Sequence, residues 1–310
     1  MGHRSLIAAA LLLLLMGCPI ERRLEHSSPQ ALRTTSGEVE LSFWVYGEGR
    51  PLLIIHGGFG SDHRGFEDLA LRLAKRHQVI LFDRRGTGKS PLDVLDTHSV
   101  TMDLMVSDIE AIRRALGLES WSVLGHSFGG MLASHYVALH PDRVDALVLS
   151  SSSGVDMHLF STDPRVPIKA QLNATDRAEI ERLEAAHEAG DNSQALRDRF
   201  SEVLARAYVY DDDQSDWVQA RLRRSNPEVA RLVTADLNRI AFDTKPALAQ
   251  FERPVLIVQG RQDILPVSIS ERAAASFPDA RLVVVDECGH YGWLDQARIY
   301  LSTVLDFLRH

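Results

Sequence analysis

Trp121-Ser-Val-Leu-Gly-His-Ser-Phe-Gly-Gly-Met-Leu-Ala133 decides how the rest of the chain is read. The run 121–124 is too short for a helix and apolar on both sides, as a buried strand must be. Gly125-His126-Ser127-Phe128-Gly129 follows with no spacer, and Gly130-Met131-Leu132-Ala133 opens a helix. A strand that turns straight into a helix leaves no room for side chains around the turn, which is why glycines flank the serine. The turn lifts the Ser127 hydroxyl above the sheet edge, and the helix N-terminus beneath it favours developing negative charge. G-x-S-x-G alone arises by chance in about one chain in ten of this length. Its place between a strand and a helix gives it meaning.

Outward from that turn, Pro51-Leu-Leu-Ile-Ile55, Val79-Ile-Leu-Phe82, Ala146-Leu-Val-Leu149, Pro254-Val-Leu-Ile-Val258 and Arg281-Leu-Val-Val-Val285 repeat the short apolar pattern. Amphipathic stretches lie between them near 66–76, 101–116, 128–139, 268–276 and 295–308. Such alternation predicts an α/β protein with a mostly parallel, doubly wound sheet. Residues 39–46 alternate apolar and polar instead, which suits an antiparallel edge strand. Between 154 and 245 the rhythm breaks. Helical spacing at 176–188 and 193–207, and Asn226-Pro227-Glu228 as a helix start, predict an inserted helical cap over the carboxyl ends of the strands. The catalytic core is then 37–153 and 246–310, split by the cap.

A serine needs a base, and the base needs an orienting acid. His290, in Asp286-Glu-Cys-Gly-His290, follows the last apolar run at the carboxyl edge of the sheet. Asp263, in Gly260-Arg-Gln-Asp263, follows the run before it, and Asp156 is the spare. The chain order Ser127, Asp263, His290 is that of a strand-turn nucleophile with its triad partners. His56-Gly57-Gly58-Phe59-Gly60 follows the strand ending at Ile55, and its glycines allow close backbone approach. Backbone N–H groups of Gly58 (or Phe59) and Phe128 form the expected oxyanion hole, while His56 serves as a hydrogen-bonding residue of that turn.

Other chemistries fit poorly. Asp plus Glu outnumber Lys plus Arg by 42 to 34, which leaves no basic excess for nucleic acid. Two cysteines cannot build a disulfide framework or a thiolate metal cluster, and no cofactor or metal is expected. Gly86-Thr-Gly88-Lys89-Ser90 mimics the end of a phosphate-binding loop, but Asp83 stands where its first glycine belongs. Cys288 reads as a small residue packed beneath the histidine loop.

The N-terminus reads as a targeting segment. Arg4 precedes an apolar run from Leu6 to Met16, and a helix of that length rises only ~16 Å, about half a ~30 Å hydrocarbon core. Residues 1–17 are therefore expected as a secretory signal. Leu15-Met16-Gly17-Cys18 resembles the lipobox of bacterial lipoproteins, which implies export and lipidation at Cys18, with membrane attachment through that anchor. Residues 18–36 are expected as a flexible tether.

The ordered pieces resemble the α/β-hydrolase superfamily over residues 37–310. Four motifs carry the likeness: His56-Gly-Gly58, Asp83-Arg-Arg-Gly-Thr-Gly-Lys-Ser90, the Gly-His-Ser-Phe-Gly of 125–129, and Gly260-Arg-Gln-Asp263 with Cys288-Gly-His290. The resemblance implies the α/β-hydrolase fold with Ser127 as nucleophile, Asp263 as acid and His290 as base. The 83–90 segment and the cap are similar to the proline iminopeptidase-like branch. That branch has Pro where Phe59 stands and Gln where Arg84 stands, and both departures point away from peptidase activity. The expected activity is hydrolysis of a small to medium carboxylic ester or related acyl compound through an acyl-enzyme. The alternatives are an aminopeptidase acting on an amide or short peptide, which would need acidic cap groups for a substrate ammonium, and a non-catalytic ligand-binding protein. Glu179, Glu184, Glu188, Glu202 and Asp236 are the cap acids available for the peptidase.

Overall fold

The computed structural model describes residues 28–161 and 165–309. Eight strands form one sheet in the order β1-β2-β4-β3-β5-β6-β7-β8. They are β1 (Gln30–Ser36), β2 (Val39–Tyr46), β3 (Arg50–Ile55), β4 (His77–Phe82), β5 (Trp121–His126), β6 (Val144–Ser150), β7 (Val255–Gly260) and β8 (Ala280–Val285). From β4 to β8 every neighbouring pair is parallel, whereas β1–β2 and β2–β4 are antiparallel.

The helices are α1 (Glu67–Leu73), α2 (Met102–Ala115), α3 (Phe128–Leu139), α4 (Arg165–Gln171), α5 (Ala174–Glu188), α6 (Gln194–Ala205), α7 (Ser215–Leu222), α8 (Pro227–Arg239), α9 (Lys245–Leu248), α10 (Val267–Ala274), α11 (Gly292–Asp295) and α12 (Ala297–Phe307). Strand side chains alternate between the two faces, and the two cores follow that period. Leu53, Ile55, Ile80, Phe82, Val123, Leu147, Leu149 and Ile257 pack under α2 and α3. Leu52, Ile54, Val79, Leu81, Leu124, Val148 and Leu256 pack under α1 and α12. Both faces are covered, which explains why these strands read as continuous apolar runs.

Two expectations need correction. The tether expected to reach residue 36 gives way to β1, so β2 is the second strand of the sheet and not its edge. Only one face of β1 is shielded, its exposed positions can be polar, and a turn at Gly37 (φ +60°) pairs Ser36 with Val39. A polar edge strand carries almost no hydropathy signal. The other concerns α8, which lies within the stretch read as cap. Its Val229, Leu232, Val233 and Leu237 share the sheet's core with α2, and its Asp236 Oδ2 accepts from Met102 N at 2.7 Å at the start of α2. That carboxylate satisfies an otherwise unpaired amide at a helix N-terminus.

The remaining inserted helices, α4 to α7, lie between β6 and α8. Leu159, Leu172, Ile180, Val203 and Ala207 pack on Ile264, Leu265 and Ile269. The insertion thus rests on the loop that carries Asp263. Its two ends are stitched where Asp156 bridges Asp243 and Thr244 N donates to Val155 O at 2.9 Å. Residues 1–27, with Cys18 and the expected signal, lie outside the described residues.

Candidate active site

Ser127 stands between β5 and α3 with φ 55° and ψ −123°, a conformation costly for any residue but glycine. Close packing enforces it. A Cβ on Gly125 would stand 2.4 Å from Gly129 O, and one on Gly129 would stand 2.0 Å from Ile55 O. Ser127 N donates to Ser150 O at 3.0 Å, and Ser153 N donates to Ser127 O at 3.1 Å, so the turn is held from β6 as well. The glycines that flagged the motif are there because backbone occupies the space their side chains would fill.

Asp263 and His290 come from the loops after β7 and β8. His290 Nδ1 and Asp263 Oδ1 are 2.7 Å apart, with side-chain exposures of 2% and 0%. Asp263 Oδ1 also accepts from Leu265 N at 2.9 Å, and Oδ2 accepts from Gln259 Nε2 at 2.7 Å. Gln259 is in turn fixed by Ser270, whose hydroxyl donates to Oε1 at 2.7 Å. With Nδ1–H directed at the carboxylate, His290 Nε2 is left as the acceptor.

The residue before the serine ties the two together. His126 Nε2 lies 2.9 Å from His290 O, and the two rings are 4.6 Å apart. Burial, and then the neighbouring His290, holds the pKa of His126 well below its usual value, so the ring is neutral and Nε2 carries the donated proton. The backbone N–H of His290 donates to Tyr208 O at 2.8 Å, which anchors the histidine loop to the insertion.

The 56–60 loop lies against this turn: a Cβ on Gly57 would meet Ser127 Cβ at 2.7 Å. Gly58 has φ +73°. Phe128 occupies the first turn of α3, where amides lack helical partners, and its ring lies 4.7 Å from that of Phe59. His56 is wholly buried and its pKa is held well below the usual value by burial and then by Arg84. Its neutral ring donates from Nδ1 to Gly57 O at 3.1 Å.

Two buried arginines flank this loop. Arg84 Nη2 donates to Gly58 O and its guanidinium lies 4.7 Å from the centre of the Phe128 ring. Burial first, and then the neighbouring Arg221 guanidinium, push Arg84 down to about 9. Arg221, on α7, donates from Nη2 to Gly57 O at 2.6 Å. The sequence offered no sign of Arg221, His126 or Gln259 as parts of the site. Arg221, with Arg223 and Arg224 close behind it at the end of a mixed helix, looks like part of a solvated basic face, and its partners are about 160 positions away.

The other residues weighed from sequence have different partners. Asp156 pairs with Lys245 and Arg272, while the carboxylate on His290 is that of Asp263; against the opposing effect of burial, the two cations draw the Asp156 carboxyl down to about 2. Lys89 N donates to Asp83 Oδ2 at 2.7 Å, so the glycine segment spends that amide on a protein carboxylate. Burial pushes the Cys288 thiol far up, which makes it a poor nucleophile. Among the described residues no group of three or more His, Cys, Asp or Glu is arranged to hold a metal.

Residues 50–297 match the family model described as alpha/beta hydrolase fold. The chain is 27% identical over 286 residues to proline iminopeptidase of Heyndrickxia coagulans, covering 88% of this chain and 96% of that one. It is 26% identical over 269 residues to 2-hydroxy-6-oxo-6-phenylhexa-2,4-dienoate hydrolase of Burkholderia cepacia, covering 84% and 88%. Among solved structures, an esterase of Exiguobacterium antarcticum superposes with a TM-score of 0.68 at 19% identity, covering 91% of this chain and all of that one, a likeness of fold alone.

Proposed function

The chain belongs to the α/β hydrolase fold family, whose members among its relatives are hydrolytic enzymes, and on that premise we propose that it is a serine hydrolase working through an acyl-enzyme. The observation that carries this reading is the buried Asp263–His290 pair at 2.7 Å, its histidine bonded at the backbone by His126, the neighbour of a serine held at φ 55°. A ligand-binding protein has no use for an acid that orients a base.

In this reading Ser127 Oγ attacks the substrate carbonyl carbon while His290 Nε2 takes its proton. The N–H groups of Gly58 and Phe128 bind the oxyanion, where a single such donor is worth ~3–4 kcal/mol. Collapse of the tetrahedral intermediate breaks the bond to the leaving group, which receives the proton from His290. Water then gives a proton to His290 and attacks the acyl-enzyme, releasing the acid and regenerating Ser127. Asp263 keeps the imidazole in the needed tautomer and stabilises its charged form.

A carboxylic ester of small to medium size is the substrate class we favour. An aminopeptidase needs acids free to bind a substrate ammonium. Glu179 is occupied by Arg182 and Arg199, Glu184 by Lys169, Glu202 by Arg199 and Asp236 by Arg239, while Glu188 is exposed. Arg84 and Arg221 beside the 56–60 loop add positive charge where an ammonium would approach. The likeness to proline iminopeptidases supports the second reading, an aminopeptidase. A panel of p-nitrophenyl esters of increasing chain length, run beside aminoacyl naphthylamides, separates the two. The ester reading requires kcat/KM to favour an ester; a prolyl amide ahead by more than about tenfold, ~1.4 kcal/mol in the transition state, overturns it.

On the sequence of residues 15–18 we further propose that the protein is exported and lipidated at Cys18. Mass spectrometry of the mature N-terminus should find an acylated cysteine. Retention of Met1, or a free Cys18 after cleavage elsewhere, contradicts this.

A further inference from the structure

Among the contacts between the cap and the oxyanion loop, one side chain bears on the peptide that carries the Gly58 N–H. In a trans peptide the C=O and the following N–H point in opposite directions. Whatever fixes the carbonyl of Gly57 therefore also aims the N–H of Gly58. That carbonyl accepts from Arg221 Nη2 at 2.6 Å and from His56 Nδ1 at 3.1 Å, which uses both of its lone pairs. Hydrogen bonds to a carbonyl also polarise the peptide and strengthen its N–H as a donor. Arg221 Nη1 bonds Arg64 O at 3.0 Å and Asp62 O at 3.2 Å, and the guanidinium lies 4.7 Å from the centre of the Phe66 ring. The residue is 3% exposed. A planar fork bonded to three carbonyls in one loop fixes direction as well as position.

Arg221 belongs to the insertion, not to the sheet. One turn earlier on the same helix, Trp217 packs edge-on against Tyr291 at 4.9 Å, next to His290. A single eight-residue helix, α7, thus touches both the oxyanion loop and the histidine loop. Arg84, from the sheet, makes the corresponding contact one peptide later: its bond to Gly58 O aims the N–H of Phe59. The two arginines divide the two amides between them.

We propose that Arg221 is a positioning residue that aims and polarises the Gly58 N–H, so that oxyanion stabilisation depends on α7 being seated on the sheet. The proposal rests on the serine-hydrolase reading above. It takes the Gly58 N–H of that reading as the oxyanion donor, and it makes the cap part of the reacting centre rather than only a cover over the substrate.

The test uses the full-length enzyme and its Arg221→Ala and Arg221→Lys variants, with a p-nitrophenyl ester and with a fluorophosphonate that labels serine hydrolases. In Arg221→Ala, kcat should fall by about 10- to 100-fold while KM changes by less than about threefold, and fluorophosphonate labelling should slow by a similar factor. Arg221→Lys should remain slow, because an ammonium cannot span the carbonyls that the guanidinium forks across. Millimolar guanidinium should restore part of the kcat of Arg221→Ala. A purely structural role would lower thermal stability and leave kcat of the folded protein unchanged. Folded Arg221→Ala with kcat within twofold of wild type, a loss confined to KM, or full activity in Arg221→Lys overturns the proposal. If Arg221→Ala does not fold, the kcat of Arg221→Lys alone decides the matter. A wild type that labels at Ser127, with Arg221→Ala labelling equally fast, removes this proposal and leaves the serine reading intact. A wild type that does not label at all removes the serine reading itself.

Discussion

Of the contacts that fasten the insertion to the sheet, the one at its base and the one on the loop after β3 differ in kind. At the base, Asp156 Oδ2 binds Lys245 Nζ at 2.5 Å and Arg272 Nη2 at 2.7 Å, and the Thr244 hydroxyl donates to Val155 O at 2.8 Å. On the loop after β3, Arg221 binds the carbonyls of Gly57, Asp62 and Arg64. A carboxylate between two cations tolerates rotation of every partner, so it sets position only. A guanidinium on a peptide carbonyl sets the plane of that peptide, and with it the direction of the next N–H. The first contact is one of stability. The second reaches the chemistry.

The largest effect should come from Asp263→Asn, which lies in neither fastening. An amide in place of the carboxylate can present its N–H to His290 Nδ1 and hold the wrong tautomer, and it cannot stabilise the imidazolium, so kcat should fall by about 10⁴-fold with the fold retained. Esterase assays on the folded variant check this, and a fall of less than tenfold would place the orienting acid elsewhere. Arg221→Ala comes next, acting on kcat as described above. Asp156→Asn should do the reverse, lowering stability with kcat and KM unchanged.

The pH dependence of that last variant follows from the depressed carboxyl. Against the upward push of burial, Arg272 and Lys245 hold the Asp156 carboxyl at about 2, below the ordinary 3.8 of an aspartate. A group whose folded pKa is lowered contributes stability that is fully present above the unfolded value and lost as pH falls through the folded one. Asp156 should therefore supply roughly 2 kcal/mol at neutral pH, and that contribution should disappear between about pH 4 and pH 2. Denaturant melts of wild type and Asp156→Asn should differ by that amount at pH 7 and converge toward pH 2. A constant difference across the range contradicts the assignment. If Asp156→Asn instead slowed turnover as strongly as Arg221→Ala, the contrast between the two fastenings would collapse.

How far the sequence carried the reading depended on the range of the contact involved. The strands under α1, α2, α3 and α12 were legible because burial on both faces leaves an unbroken apolar run. The Ser127 turn was legible because Gly125 and Gly129 have backbone where a Cβ would go, and that requirement is local. Strand β1 was not legible: it is the edge strand, its Arg33 and Thr35 are exposed, and even its half-buried face carries Thr34 and Ser36. Asp236 stands in the sequence as one more cap acid, because the amide it accepts from, that of Met102, lies 134 positions away. Arg221 was hidden for the same reason, since its partners are backbone carbonyls, which any sequence provides. Side chains that act on distant backbone leave no pattern of their own.

The central claim is that Ser127, activated by His290 and Asp263, is the nucleophile. Incubating the protein with a fluorophosphonate and mapping the adduct by peptide mass spectrometry tests it most directly. The account predicts a single modified residue, Ser127, in wild type, no adduct in Ser127→Ala, and labelling slowed by about 10³-fold or more in His290→Ala. An adduct on another residue, or ester hydrolysis undiminished in Ser127→Ala, would contradict it.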